Sequence, residues 1–275
     1  MYRTVWDRCK SSVCSIDFIS NAGTKIISFT GFKVRNYLIT DDIIDKFTKP
    51  AEVWLRFTEQ AIPDPGIIRM SFKEFINSRI RFGRQMEPGF IILNIDSEAF
   101  RKIPPLLCSK RICHGIGHPI AVLGYQLDQE NLAIKSGIIS STFTSKEGIN
   151  TIQVDCTIKQ GNAGSPLICA ETMEVIGVIG HRLSSIARDY QAMMRIVNTN
   201  LKVLREAEGK INMEDIDPIQ VLIANQNQIK HVMSEFYRTT NMRVGFAVEL
   251  NGMADYCPDY EEDISSIETE FRLDN

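Results

Sequence analysis

Short blocks of apolar residues, alternating with polar ones or running together, fill the chain up to about residue 180. Val13, Ile16 and Phe18, then Ile26, Ile27 and Phe29, flank Asn21-Ala22-Gly23, which predicts a hairpin, and residues 31–40 read as the next strand. Residues 51–57 and 66–76 are expected as strands on either side of the turn Pro63-Asp64-Pro65-Gly66, and residues 90–95 as another. After a Pro-containing connector, residues 119–125 and 137–140 continue the pattern. Ile152, Val154, Cys156 and Ile158 then alternate as a half-buried strand, and beyond a glycine-containing loop a second apolar strand runs on to Val178. From Ile186 the period changes. Tyr190, Met193, Met194, Val197, Leu201 and Leu204 recur at helical spacing up to Gly209, a C-terminal cap, and Asp217-Pro218 opens a second helix striped by Leu222, Ile229, Met233 and Phe236. Strand character resumes at residues 243–250.

These blocks predict an all-β body of two lobes, with a helical hairpin over residues 185–242 set between its last two strands. The expected divisions are a first barrel at 1–107, a connector at 108–118, a second barrel at 119–257 and an acidic tail at 258–275. At 275 residues and 44% hydrophobic the chain can bury a core of that size. Net charge is −3, unevenly spread: residues 1–120 carry 18 Lys and Arg against 12 Asp and Glu, whereas from Asp255 onward eight acidic residues face the single Arg272. The tail therefore reads either as a partner-docking segment or as a solvated terminus. Residues 1–15 hold four scattered charges and no apolar core segment, so a cytoplasmic location and no membrane span are expected. Seven cysteines, an odd number set mostly in apolar strands, predict reduced thiols. Cys108, Cys113, His114 and His118 could ligate zinc, but they repeat no zinc-finger spacing and serve equally well as ordinary thiols and loop histidines; no metal and no cofactor are expected. Arg79, Arg81 and Arg84 form a basic cluster without aromatic interleaving, so nucleic acid is not an expected partner.

The loop at residues 161–167 carries the chemistry. Gly161 and Gly164 permit a sharp turn whose backbone N–H groups converge on one spot, an arrangement suited to a carbonyl oxygen or a carboxylate. The run Gly161-Asn162-Ala163-Gly164-Ser165-Pro166-Leu167 resembles the nucleophile loop of trypsin-like serine proteases, nearest to the HtrA and glutamyl-endopeptidase branch. Further matches lie at Gly31-Phe32 through Leu38-Ile39-Thr40, at 90–95, at Val175 through His181, and at Gly245-Phe246-Ala247-Val248. The resemblance implies two six-stranded antiparallel barrels, with the helical hairpin inserted in the second.

It also implies where a catalytic triad would sit. The nucleophile position holds Ala163, the histidine position three residues after Thr40 holds Ile43, and the aspartate position before the 90–95 strand holds Gly89. The expectation is an inactive protease fold acting as a protein-binding, adaptor or regulatory module; relatives without a signal peptide occur in prokaryotic defence systems. The alternative is an active, divergent cytoplasmic protease whose serine has been replaced at Ala163. His181 falls where glutamate-specific relatives place a histidine against the bound side chain, or it is a surface residue at a strand end. Partner contacts are expected at three places: the vestigial cleft of Gly161, Asn162, Ala163, Gly164 and His181, the acidic tail, and the helical residues Met193, Val197, Leu201, Leu222, Ile229, Met233 and Phe236. For the helical residues, packing of the two helices is the competing explanation.

Overall fold

The computed structural model describes residues 1–42, 50–58, 67–80, 89–109, 115–126, 129–145, 148–159, 161–180, 185–210, 217–240 and 244–250, with backbone alone at 185–189, 191 and 238–240. It forms two units, one of Met1–His181 with Arg243–Asn275 and the other of Arg182–Met242.

In the first unit, β1 (Val13–Ile19) and β2 (Lys25–Val34) form the predicted hairpin, closed by Gly23 at φ +75. The expected 31–40 strand is two strands. Residues up to Val34 belong to β2, and Arg35, at φ 52, and Asn36 turn the chain into β3 (Tyr37–Asp41), which runs back along β2. With β4 (Glu52–Phe57), β5 (Ile67–Ser71) and β6 (Phe90–Asn94) these strands make a six-stranded sheet in the order β5-β4-β1-β2-β3-β6. Its edge strands β5 and β6 do not pair with each other. The sheet curls but stays an open half-barrel rather than the closed barrel expected, and Ser78–Ile80 pairs with β6: Asn94 N–H donates to Ser78 O at 2.8 Å and Ile80 N–H to Ile92 O at 2.9 Å.

What separates Ser78 from β5 is a helix, not the strand expected over 66–76. Ser71 Oγ accepts from Glu74 N–H, and Glu74 carboxylate accepts from Ser71 N–H at 2.8 Å, a complete capping box that starts α2 (Phe72–Asn77). Phe75 is thereby turned fully into the sheet interior, edge-on to Phe18. Two more helices precede and follow the sheet. One is α1 (Tyr2–Cys9), whose Val5 and Cys9 are buried; the other is α3 (Glu98–Arg101), which buries Phe100.

The other half of this unit is a closed barrel, β10-β11-β12-β9-β8-β7. Its strands are β7 (Pro119–Gln126), β8 (Gln129–Thr144), β9 (Asn150–Val154), β10 (Pro166–Cys169), β11 (Val175–Ile179) and β12 (Gly245–Glu249). The apolar run to Val178 is a hairpin of β10 and β11, turned at Met173 with φ 63. β11 pairs directly with β12, so the barrel closes across the point where the second unit is spliced into the chain. Buried residues of both halves, among them Val13, Phe32 and Ile39 with Leu123, Ile168 and Val178, share one core. Cys9, Cys14, Cys108, Cys156 and Cys169 are buried free thiols.

The second unit is the helix pair expected from the sequence. α4 (Ser185–Ala207) ends before Gly209 at φ +73, and α5 (Pro218–Thr240) is capped by Asp217, whose Oδ1 accepts from Ile219 N–H at 2.8 Å. Among the described residues no helix is long and apolar enough to cross a membrane.

Candidate functional site

The glycine loop after β9 is held from both halves of the first unit. Thr30, at the centre of β2, does most of this: its N–H donates to Ala163 O at 2.9 Å and its hydroxyl donates to Gly161 O at 2.8 Å. The same hydroxyl oxygen accepts from Tyr125 N–H at 2.9 Å, and Thr40 Oγ1 donates to Thr30 O at 2.7 Å. A single buried threonine thus ties β2, β3, β7 and the loop together. Asn162 grips the other side. It is 1% exposed, its Nδ2 donates to Tyr125 O at 2.9 Å, and its Oδ1 accepts from Lys159 N–H at 3.0 Å and from the ammonium of Lys135 on β8.

Close approach requires the second glycine. At Gly164, φ is +84, and a Cβ would lie 2.0 Å from Thr30 O and 2.2 Å from Thr40 Oγ1. Its N–H donates to Ile179 O at 2.7 Å, fastening the loop to β11. Asn162 N–H and Ser165 N–H are also paired, with Lys159 O and Asn162 O. The Gly161 and Ala163 amides are different: among the described residues neither N–H has an acceptor. Both residues are buried, and a buried N–H without a partner costs about 1–3 kcal/mol, so the two amides call for an oxygen from outside the fold.

The local field favours an anion. Lys135 Nζ also donates to Thr157 O at 2.8 Å, and burial pushes its pKa down to about 8, so at neutral pH it is an ammonium beside the loop. Cys156, next to it, is no nucleophile in waiting: burial pushes its thiol up to about 11 despite the lysine.

Ala163 offers a methyl group, 8% exposed and packed into the first-sheet cluster, with neither a lone pair nor a proton to exchange. Gly89 is buried at φ +82, and a Cβ there would lie 3.2 Å from Val248 Cγ2 and 3.6 Å from Ile149 Cδ1. A carboxylate at this position would start from a strained backbone and point among apolar side chains. Ile43 and His181 lie outside the described residues, as do Arg81, Arg84, Cys113, His114 and the acidic tail. Of the zinc alternative, Cys108 is buried beside Val175 and His118 Nδ1 is 3.8 Å from Glu171; the described residues hold no cluster of three metal-ligand side chains. Arg69, flanking the basic cluster, lies over the Trp54 ring at 4.5 Å.

Two of the seven helical residues expected to meet a partner do not reach the surface. Val197 is 3% exposed and Leu201 5%, because they lie on the stripe along which the helices of the second unit pack. Met193, Leu222, Ile229 and Phe236 are exposed and Met233 is half-buried. Sequence reasoning passed over the buried Thr30 and the half-buried Lys135, both polar residues in strand patterns. It also passed over Asp41, a buried carboxylate at the end of β3 whose backbone N would lie 3.0 Å from a Gly164 Cβ.

Residues 72–178 match the family model of the trypsin-like peptidase domain. No curated protein sequence matches the chain. Among solved structures, a serine endoprotease from Yersinia pestis is 18% identical over 66% of this chain, with a TM-score of 0.49; the chain spans 57% of that protein's length. The Rv3671c protease of M. tuberculosis in its active form is 16% identical over 66% of this chain and 75% of its own, with a TM-score of 0.49. An inactive serine-to-alanine mutant of Rv3671c is 17% identical over 64% and 77%, with a TM-score of 0.46. Residues 72–178, which contain the Gly161–Gly164 loop, are thus similar to the trypsin-like peptidase domain.

Proposed function

We propose that this chain is a non-hydrolytic member of the family, a binding module that holds a protein segment by a backbone acceptor, a peptide carbonyl or a terminal carboxylate. The observation that carries the reading is the pairing of two unsatisfied amides, Gly161 and Ala163, with a methyl group at the nucleophile position. Acyl transfer in this family needs a hydroxyl, a base to take its proton and a carboxylate to orient the base. The sequence has Ala163, Ile43 and Gly89 at those positions. Losing one triad member in well-studied serine proteases leaves roughly 10³–10⁴-fold acceleration over water, the remainder coming from binding and the amide pair. Binding and the amide pair are what this site retains. The acidic tail and the exposed helical residues Met193, Leu222, Ile229 and Phe236 are further surfaces for a protein partner.

The competing reading is a divergent protease that lacks only its serine. Fluorophosphonate labelling of the protein and of Ala163→Ser distinguishes the two. Neither is labelled on our reading, because a restored hydroxyl still has no base at residue 43. Rapid labelling of Ala163→Ser alone would establish the competing one.

A further inference from the structure

We infer that the second unit pairs with a second copy of itself, so that two of these chains associate through a four-helix contact. The helices of one chain run antiparallel: the Tyr190 and Tyr237 rings stack at 4.2 Å, Lys230 Nζ donates to Asn198 Oδ1 at 3.1 Å, and Gly209 N–H donates to Asp217 Oδ2 at 3.1 Å. Along the pair, a stripe of buried and half-buried positions keeps a heptad spacing. On α4 it is Tyr190, Met194, Val197, Leu201 and Leu204, and on α5 Ile219, Ile223, Gln226, Lys230, Met233 and Tyr237, all buried or half-buried.

Each helix carries a second heptad stripe one residue earlier. On α4 it is Met193, Ile196, Asn200, Val203 and Ala207; on α5 it is Leu222, Asn225, Ile229, Val232 and Phe236. Except for the half-buried Ala207, these residues are exposed, Ile196 by 56%, Val203 by 60% and Val232 by 63%. One residue is a rotation of about 100° about a helix axis. In an antiparallel pair, stripes rotated the same way from the contact stripe emerge on the same side. The pair therefore has one apolar broad face, while Arg195, Lys202 and Arg205 are set on other positions. The cross-helix contacts put Met193 level with Phe236, Ile196 with Val232, Asn200 with Ile229, Val203 with Asn225 and Ala207 with Leu222.

Three features select a second copy as the occupant. The stripes keep a 3.5-residue period, which suits helices packing along their length rather than a strand or an extended peptide. The face carries no charged side chain in either stripe, so nothing in it calls for a charged partner. Asn200 stands at the middle of five levels, where a twofold axis across the face sets it against its own counterpart; one such uncharged polar residue fixes register. Two 23-residue helices present a face about 34 Å long and roughly 20 Å wide, on the order of 700 Å², close to the ~800 Å² per partner of a standard interface.

This deepens the helical surface named above and is tested apart from the loop. Sedimentation equilibrium of the full chain at micromolar concentration should give twice 31.2 kDa. The double variant Ile229→Glu, Val232→Glu should weaken self-association on the order of 100-fold or more, with an unchanged circular dichroism spectrum, because it buries charge only in the dimer. Lys202→Glu should leave the dimer intact. A chain that stays at 31.2 kDa, or a dimer indifferent to the double variant, would overturn the inference; neither result would touch the loop reading, which rests on peptide binding at Gly161 and Ala163.

Discussion

Lys33 and Lys135 are both drawn out of water, and each holds a loop by its ammonium. Lys33 Nζ donates to Phe100 O at 2.8 Å, Arg101 O at 3.0 Å and Ile103 O at 2.7 Å, three donors for three carbonyls at the end of α3. Lys33→Met should strand those carbonyls and cost about 2 kcal/mol in denaturant unfolding. Burial pushes both lysines down to about 8 from 10.5. Between those pH values the unfolded chain binds more protons than the folded one, so folding stability should rise as pH goes from 8 to 10.5. The double replacement with methionine should flatten that rise in unfolding midpoints taken across the window. Ligand binding should respond the other way, an anionic ligand being held less tightly above pH 8 as Lys135 loses its charge. Neither lysine could be picked out by pattern, since each occupies an ordinary polar place in a strand; the glycines could, because Gly161 and Gly164 stand in a run whose geometry tolerates nothing else. Gly164→Ala should displace the loop or fail to fold, its added carbon falling 2.0 Å from Thr30 O.

At the scale of elements, legibility followed how local the determining signal is. The helix pair was readable in full, from stripe, C-terminal glycine and N-cap, because all three act within one or two turns. α2 is equally local yet reads as strand: Phe72, Phe75 and Ile76 look like a β run unless Ser71 and Glu74 are weighed as a capping box. Ser71→Ala should cost about 1 kcal/mol, visible as a lower unfolding midpoint. α1 lacks any side-chain cap and has its apolar residues satisfied only by the shared core, so nothing in its own sequence announced it. The turn at Arg35 was missed because a non-glycine residue adopts the left-handed conformation there. The pairing of Ser78–Ile80 with β6 depends on contacts more distant in sequence.

For the molecule as a whole, the helical unit is an addition to a body that closes without it. β11 and β12 pair directly, and Gly180 N–H donates to Phe246 O at 3.0 Å on the near side of the splice. Replacing residues 182–242 with a short linker should therefore leave the strand signal of the circular dichroism spectrum and a cooperative unfolding transition. The central claim is that the loop binds an acceptor oxygen and cuts nothing. It is tested most directly by amide NMR of the isotope-labelled protein titrated with a peptide bearing a free terminal carboxylate, the peptide's own signals being followed in the same tube. The account predicts that the Gly161 and Ala163 amide resonances move with saturation while the peptide stays whole. Unmoved amides, or the appearance of cleaved peptide, would contradict it.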